Sequence, residues 1–371
     1  MPAKKKRFSI FRLINFFPSI LQQAIVLPLI ALVLTLLISA VLLIITGYNP
    51  ITSYGYMWKG VFGNLRVFTE VLLKSTPLVL VGTGIAVAFR CGVWNIGAEG
   101  QFYAGAVLAT WVGIHLTGFP PLITISAVFL AGFIGGGIWA IIPGWLKVRL
   151  KVNEVVSTIM LNYIMIGITS YLVTGPMQEA KKVFPQTDEI VAAARLPNIL
   201  PPTRLNIGFL IAIIVAIIVA ILLFRTPLGY AIRTVGQNPE TARYAGMKVN
   251  QSIIAAMLIS GGAAGLAGAI EVSGLTWRMF ATISPGYGFD GIAVALLAAN
   301  NPLGTILSGF LFGALRASSE LMQMNARIPS VLFKIIQGLA IAFIVAFSLL
   351  NRRAANEKAA DRSEAVPTTG S

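Results

Sequence analysis

Asn95, Glu99 and Gln101 stand within ten residues that also hold Gly92, Gly97 and Gly100. In a chain this apolar, each polar group needs a reason for its place, because a charged side chain at membrane depth costs roughly 2.5–3.5 kcal/mol on insertion scales. Glycine admits a backbone or a solute closely, and a helix starting near Gly100 would bring its partly positive N-terminus beside Glu99. Capping of that helix, lining of a solute pathway, and holding a proton or ion all fit the pattern. The stretch from Gly286 to Asn301 repeats it with Gly286, Gly288, Asp290, Gly291, Asn300 and Asn301. There, tight packing of small residues and a polar pathway both remain open. Elsewhere Glu70 and Lys74, four residues apart on one helical face, are expected to pair. Glu271 and Lys334 fall near helix ends and are expected to reach the interface, as is His115.

Several chemistries are excluded by what the chain lacks. Cys91 is the only cysteine and His115 the only histidine, so there is no internal disulfide, no Cys/His metal centre and no histidine dyad. No Gly-x-x-x-x-Gly-Lys-Ser/Thr, His-Glu-x-x-His or Gly-x-Ser-x-Gly sequence occurs. The chain therefore offers no Walker-type nucleotide site of its own, and an enzyme is the poorer expectation.

The elements that must position these groups follow from composition. Of 371 residues 56% are hydrophobic and 11% charged, against roughly 25% charged in an average soluble domain. Uncharged runs such as Ala24 to Thr46 and Asn206 to Phe224 match the ~20 residues that a helix needs to cross a bilayer. The first run is too long for a signal-peptide core and reads as a retained helix. The expected fold is all-α and integral to the membrane, with about ten spanning helices near 24–46, 70–89, 100–117, 122–146, 155–174, 206–224, 251–274, 286–299, 303–318 and 332–350.

With both termini cytoplasmic, 17 of the 28 Lys and Arg residues fall inside, which follows the positive-inside rule. The formal charge of +15 is spread between hydrophobic runs and forms no basic patch with interleaved aromatics, so no nucleic-acid partner is expected. The chain divides into a basic N-terminal tail (1–23), a membrane domain (24–350) and a polar tail (351–371) read as disordered. The proline-rich loop from Gly175 to Leu205 should be extended and outside. Within the cytoplasmic segment 225–250, Asn238 and Pro239 should open a short helix reaching about Ala245. The two Gly-rich breaks, one after the second helix and one after the seventh, suggest two halves of inverted topology around a central pathway. Three Gly-x-x-x-Gly pairs, at 132/136, 261/265 and 309/313, suit close helix contact.

Phe89-Arg-Cys-Gly-Val-Trp-Asn-Ile-Gly-Ala-Glu-Gly-Gln-Phe resembles the FNIGAEGQ signature of permeases in bacterial binding-protein-dependent ABC importers. The resemblance is to the nucleoside branch, related to the ribose and branched-chain amino acid permeases. Trp94 stands where Phe is usual. Gly229 to Met247 is similar to the family's coupling segment, with Thr241 in place of an alanine. Gly288 to Pro302 resembles its late GFxGIAVALLG element, with Ala298 where Gly is common.

The resemblance covers about residues 60–350 and implies a permease subunit that forms the pathway for a small polar solute, most readily a nucleoside. It implies cytoplasmic ATPase subunits that bind the ATP, a paralogous second permease, and an external solute-binding protein or lipoprotein, all at a bacterial cell membrane. Asn95, Glu99, Gln101, Asp290 and Asn300 are then expected along the pathway. Arg233, Asn238, Glu240, Arg243 and Tyr244 are expected at the ATPase contact, as a helix seated in a groove. The competing readings are a secondary transporter driven by an ion gradient through Glu99, Glu271 or Asp290, and a purely structural membrane protein.

Overall fold

The computed structural model describes residues 27–326 and scattered positions between 329 and 343. The basic tail, most of the expected helix at 332–350 with Lys334, and the polar tail lie outside the described residues. Two units are distinguished, residues 1–53 with 328–371 and residues 54–327. The first contributes α1 (Leu27–Ile45), and α2 (Pro50–Phe62) carries the chain into the second. All the functional geometry below belongs to residues 54–327.

Asn64 accepts the Val67 N–H at 2.9 Å and so opens α3 (Leu65–Arg90). Between Lys74 and Arg90 this helix carries no charge, so no face of it needs water, and Ser75 through Ala88 is buried without interruption. Of the apolar spans it is the most deeply buried. After it come α4 (Ala98–His115), α5 (Pro121–Leu150), α6 (Glu154–Thr174) and α7 (Gly208–Arg225). The chain continues through α8 (Pro227–Gln237), α9 (Pro239–Tyr244) and α10 (Val249–Glu271), the last extended by a π-helical turn, Val272–Thr276. It closes with α11 (Tyr287–Leu297) and α12 (Gly304–Ala326). Among the described residues, α3, α5, α6, α7 and α10 with its π turn are long and apolar enough to cross a membrane.

The architecture is all-helical, and among the described residues β structure is limited to two isolated bridges. Three elements depart from expectation. The helix α2 was not anticipated, because its thirteen residues mix polar, aromatic and glycine positions. Nor was α8, whose Thr226-Pro227 start reads as a break until Thr226 Oγ1 is seen to accept the Gly229 N–H at 3.2 Å. The eleven residues of α11 rise roughly 16 Å, about half of a ~30 Å hydrocarbon core. Of the expected 286–299 the structure keeps Tyr287–Leu297 as helix. Pro285 and the positive φ of Gly286 (101°) hold back its start.

The Gly-x-x-x-Gly pairs pack within the chain. A methyl on Gly136 would overlap Gly261 O, and one on Gly265 would overlap Gly132 O, so α5 and α10 meet backbone to backbone. Gly309 and Gly313 of α12 rest on the side chains and backbone of Val79 and Ser75 of α3.

The proline-rich loop is extended as expected, apart from one 3-10 turn at Ala192–Ala194. Its charges lock it shut: Glu189 binds both Arg195 and Arg278, and Glu179 accepts from Gln186 Nε2 (2.6 Å), Phe184 N (3.0 Å) and Arg278 Nη1 (3.4 Å). The Gln186 amide first, then the Phe184 N–H, holds Glu179 below the ordinary carboxylate range. Arg278, then Arg195, does the same for Glu189.

Candidate functional site

Two broken segments meet at the centre of the unit. After Arg90 the chain leaves the helix at buried Cys91, turns at Gly92 (φ 74°) and runs without helical bonds to Gly97. Backbone of this kind survives at membrane depth only if its polar groups find partners in the protein. Fully buried Asn95 is the main partner. Its Nδ2 donates to Gln101 Oε1 and Ser260 Oγ (both 2.8 Å), while its Oδ1 accepts from Gly97 N (3.0 Å) and Gln101 Nε2 (2.9 Å). Asn162 of α6 completes the frame, accepting the Gly100 N–H at 2.7 Å and donating to Ile96 O at 2.8 Å. Asn95 and Gln101 thus spend their hydrogen bonds on each other and on the break. Neither Asn162 nor Ser260 was singled out from sequence, and the only signal was a polar residue inside an apolar helical run.

Glu99 does more than sit at the start of its own helix. Its Oε2 accepts the Gly288 N–H at 2.6 Å, in the first turn of α11, where backbone donors lack helical partners. Any side chain at 288 would overlap the backbone of Ala98 and Glu99, so the two Gly-rich breaks are in direct backbone contact. Ser284 Oγ accepts from Gly286 N and Tyr287 N (3.1 Å each) and finishes the start of α11.

The charges nearby are paired, though not as expected. Arg316 of α12 grips Asp290 through Nε (2.8 Å) and Nη2 (2.6 Å), donates to Pro285 O (3.0 Å) and lies 4.7 Å over the Tyr287 ring. Glu70 does not pair with Lys74. Arg204 binds it bidentately at 2.9 Å, and Lys74 turns to Glu320 of α12. A fork from the loop matches both carboxylate oxygens, which a lysine one turn away cannot. Glu271 is buried at the end of α10 instead of reaching the surface; its carbonyl accepts from Thr276 Oγ1 at 3.4 Å, while among the described residues its carboxyl forms no hydrogen bond or ion pair. Arg316, Arg204 and Glu320 were missed because helical spacing reveals only partners on the same helix.

Asn300 lies apart from this centre, beyond the far end of α11, where its carbonyl accepts from Arg90 Nε at 2.9 Å. The expected coupling residues also separate. Asn238 Oδ1 accepts from Glu240 N (2.9 Å) and Thr241 N (3.1 Å), so it caps α9. Glu240, Arg243 and Tyr244 are exposed, Tyr244 to 93%. Arg233 does not join them: its guanidinium lies 5.5 Å over the Phe224 ring. Beneath the exposed residues, Ile232, Val235 and Ala242 pack with Val87, Cys91, Leu223 and Met257. The departures from the family pattern are accommodated. Thr241 is exposed, Ala298 has an ordinary right-handed backbone (φ −72°), and Trp94 keeps an aromatic contact with Phe89 at 4.8 Å.

Membrane-length helices, a polar centre made where two broken segments touch, and an exposed helix rooted on one of those breaks place the chain among multi-pass membrane proteins. Residues 67–345 match the family described as the branched-chain amino acid transport system / permease component, and the chain belongs to that family. It is 36% identical to a guanosine ABC transporter permease protein of Bacillus subtilis, over 85% of this chain and 92% of that one. It is 33% identical to a nucleoside ABC transporter permease protein of Lactococcus lactis, over 94% of this chain and 98% of that one. A glucose ABC transporter permease protein of Haloferax volcanii is 32% identical, over 88% of each. These are transport permeases, so the chain is a permease and not an enzyme.

Proposed function

We propose that the chain is one permease subunit of an ATP-driven importer, and that its cargo is a nucleoside. The observation that carries this reading is α9, an exposed and capped helix rooted on the same core as the Cys91–Gly97 break. Cytoplasmic ATPases would bind the ATP and seat Glu240, Arg243 and Tyr244 in a groove, so that their closure biases the two breaks through differential contact. A paralogous second permease would complete the pathway, and an external solute-binding protein or lipoprotein would present the cargo to the proline-rich loop. Glu99, Asp290 and the end of α11 line the pathway, while Asn95 and Gln101 hold its wall. Both termini face the cytoplasm across a bacterial cell membrane. The segments α3-break-α4 and α10-break-α11 are read as inverted counterparts, supported by the contact between their breaks. The choice of a nucleoside rests on the guanosine and nucleoside permeases among the relatives.

The test is radiolabelled guanosine uptake in cells that carry this chain with its ATPase, partner permease and binding protein. Combining Glu240→Lys, Arg243→Glu and Tyr244→Ala alters only exposed side chains, so the permease should reach the membrane in normal amount. Loss of one ~2 kcal/mol anchor should lower ATPase co-purification and uptake roughly 30-fold. Uptake that persists without any ATPase and collapses with a protonophore would replace this reading with an ion-driven transporter.

A further inference from the structure

Among the described residues, one distant side chain donates to the turn between α11 and α12. Arg90, the last residue of α3, donates through Nε to Asn300 O (2.9 Å) and through Nη2 to Ala299 O (3.2 Å). Ala299 and Asn300 both adopt left-handed backbone, with φ of 50° and 56°. A helix commonly ends in that conformation on glycine, and alanine resists it, so the turn needs support from outside. The guanidinium supplies it, with two donors in a fixed fork.

The other side of Arg90 faces the segment that carries α9. Its carbonyl lies so close to Gly236, near the end of α8, that any side chain at 236 would overlap it, and Gly92 packs on the same glycine. Phe224 lies near two guanidinium groups, 5.9 Å from that of Arg90 and 5.5 Å from that of Arg233 in α8. One residue thus touches α8 through its backbone and the end of α11 through its side chain. The opposite end of α11 carries the Gly288 contact with Glu99.

We propose that Arg90 is a positioning residue that transmits displacement of α8 and α9 to α11, and through α11 to the contact between the two breaks. A short helix moves as a rod, so a shift at Leu297 reaches Gly288. This deepens the proposed function and rests on its assignment of α9 as the ATPase contact.

The experiment uses the complete transporter in proteoliposomes, with Arg90→Ala, Arg90→Lys and the α9 triple variant side by side. With Arg90→Ala the ATPase should still co-purify and hydrolyse ATP at its basal rate. Acceleration of hydrolysis by solute-loaded binding protein should disappear, and uptake should fall roughly 10- to 150-fold, the equivalent of losing charge-assisted hydrogen bonds. Arg90→Lys, whose ammonium reaches one carbonyl, should recover part of both. Unchanged uptake and stimulation in Arg90→Ala, or loss of the ATPase itself, would overturn the proposal. Retention of the ATPase by the α9 variant would instead sink the assignment on which it rests. A measurement on the unmodified transporter guards against misfolding: hydrogen exchange in the peptide 297–303 should change between nucleotide-free and ATP-vanadate states, and constancy there also overturns the proposal.

Discussion

Replacing Gly288 by alanine tests the central geometry most directly. The new methyl would overlap the backbone of Glu99, which cannot swing aside as a long side chain would. Overpacking of this kind costs about 2 kcal/mol. Forcing the segments apart also weakens the 2.6 Å bond from Gly288 N to Glu99 Oε2, and a hydrogen bond to a charged group is worth about 2 kcal/mol. Alanine is the better helix former by about 1 kcal/mol, which opposes both effects. The net is about 3 kcal/mol against the contact, a shift of roughly 150-fold. Hydrogen exchange over residues 286–292 should therefore lose about two decades of protection, and guanosine uptake should fall with it while the amount of protein in the membrane is unchanged. Glu99→Gln keeps an acceptor and should produce a smaller effect, near tenfold, by exchanging a charged bond for a neutral one. If Gly288→Ala preserved both protection and uptake, α4 and α11 would not be in backbone contact and the pathway assignment built on them would fail.

Two further outcomes are expected. The carboxyls of Glu179 and Glu189 sit below their ordinary value of 4.5 in the folded loop, so the stability they add is present above that value and is lost as pH falls through the depressed folded values; proteolysis of the 179–196 stretch should rise only in that acidic range, and protection that is constant or increases on acidification would contradict the ion-pair lock. Cys91 is 3% exposed and Tyr244 93% exposed, so a membrane-impermeant maleimide should label Tyr244→Cys rapidly from the cytoplasmic side alone and leave Cys91 unlabelled until the protein is unfolded; labelling from outside would reverse the proposed orientation.

Much of this arrangement was legible in the sequence because lipid imposes a compositional rule. The expected spans at 122–146, 155–174 and 206–224 fall within a few residues of α5, α6 and α7, since an uncharged run of sufficient length has few alternatives in a bilayer. The start of α9 was also readable, because Asn followed by Pro satisfies local donors that no tertiary contact needs to supply. What the sequence could not disclose is the partner of each polar group. Spacing proposes Lys74 for Glu70, whereas Arg204 arrives from 134 positions away. Asn95 and Gln101 looked like residues facing a solute, yet each is the other's hydrogen-bond partner. The far end of α11 escaped for a different reason, as the apolar run continues past Leu297 while Ala299 and Asn300 have already turned into left-handed backbone.

The glycine contacts between α5 and α10, and between Gly288 and Glu99, separate architecture from cargo. Where helices are registered through main-chain atoms, the positions that determine the frame are few and carry no side chain. The neighbouring residues are then released from holding the helices at their spacing. A lineage with such a frame can exchange the groups around its polar centre without rebuilding the membrane domain.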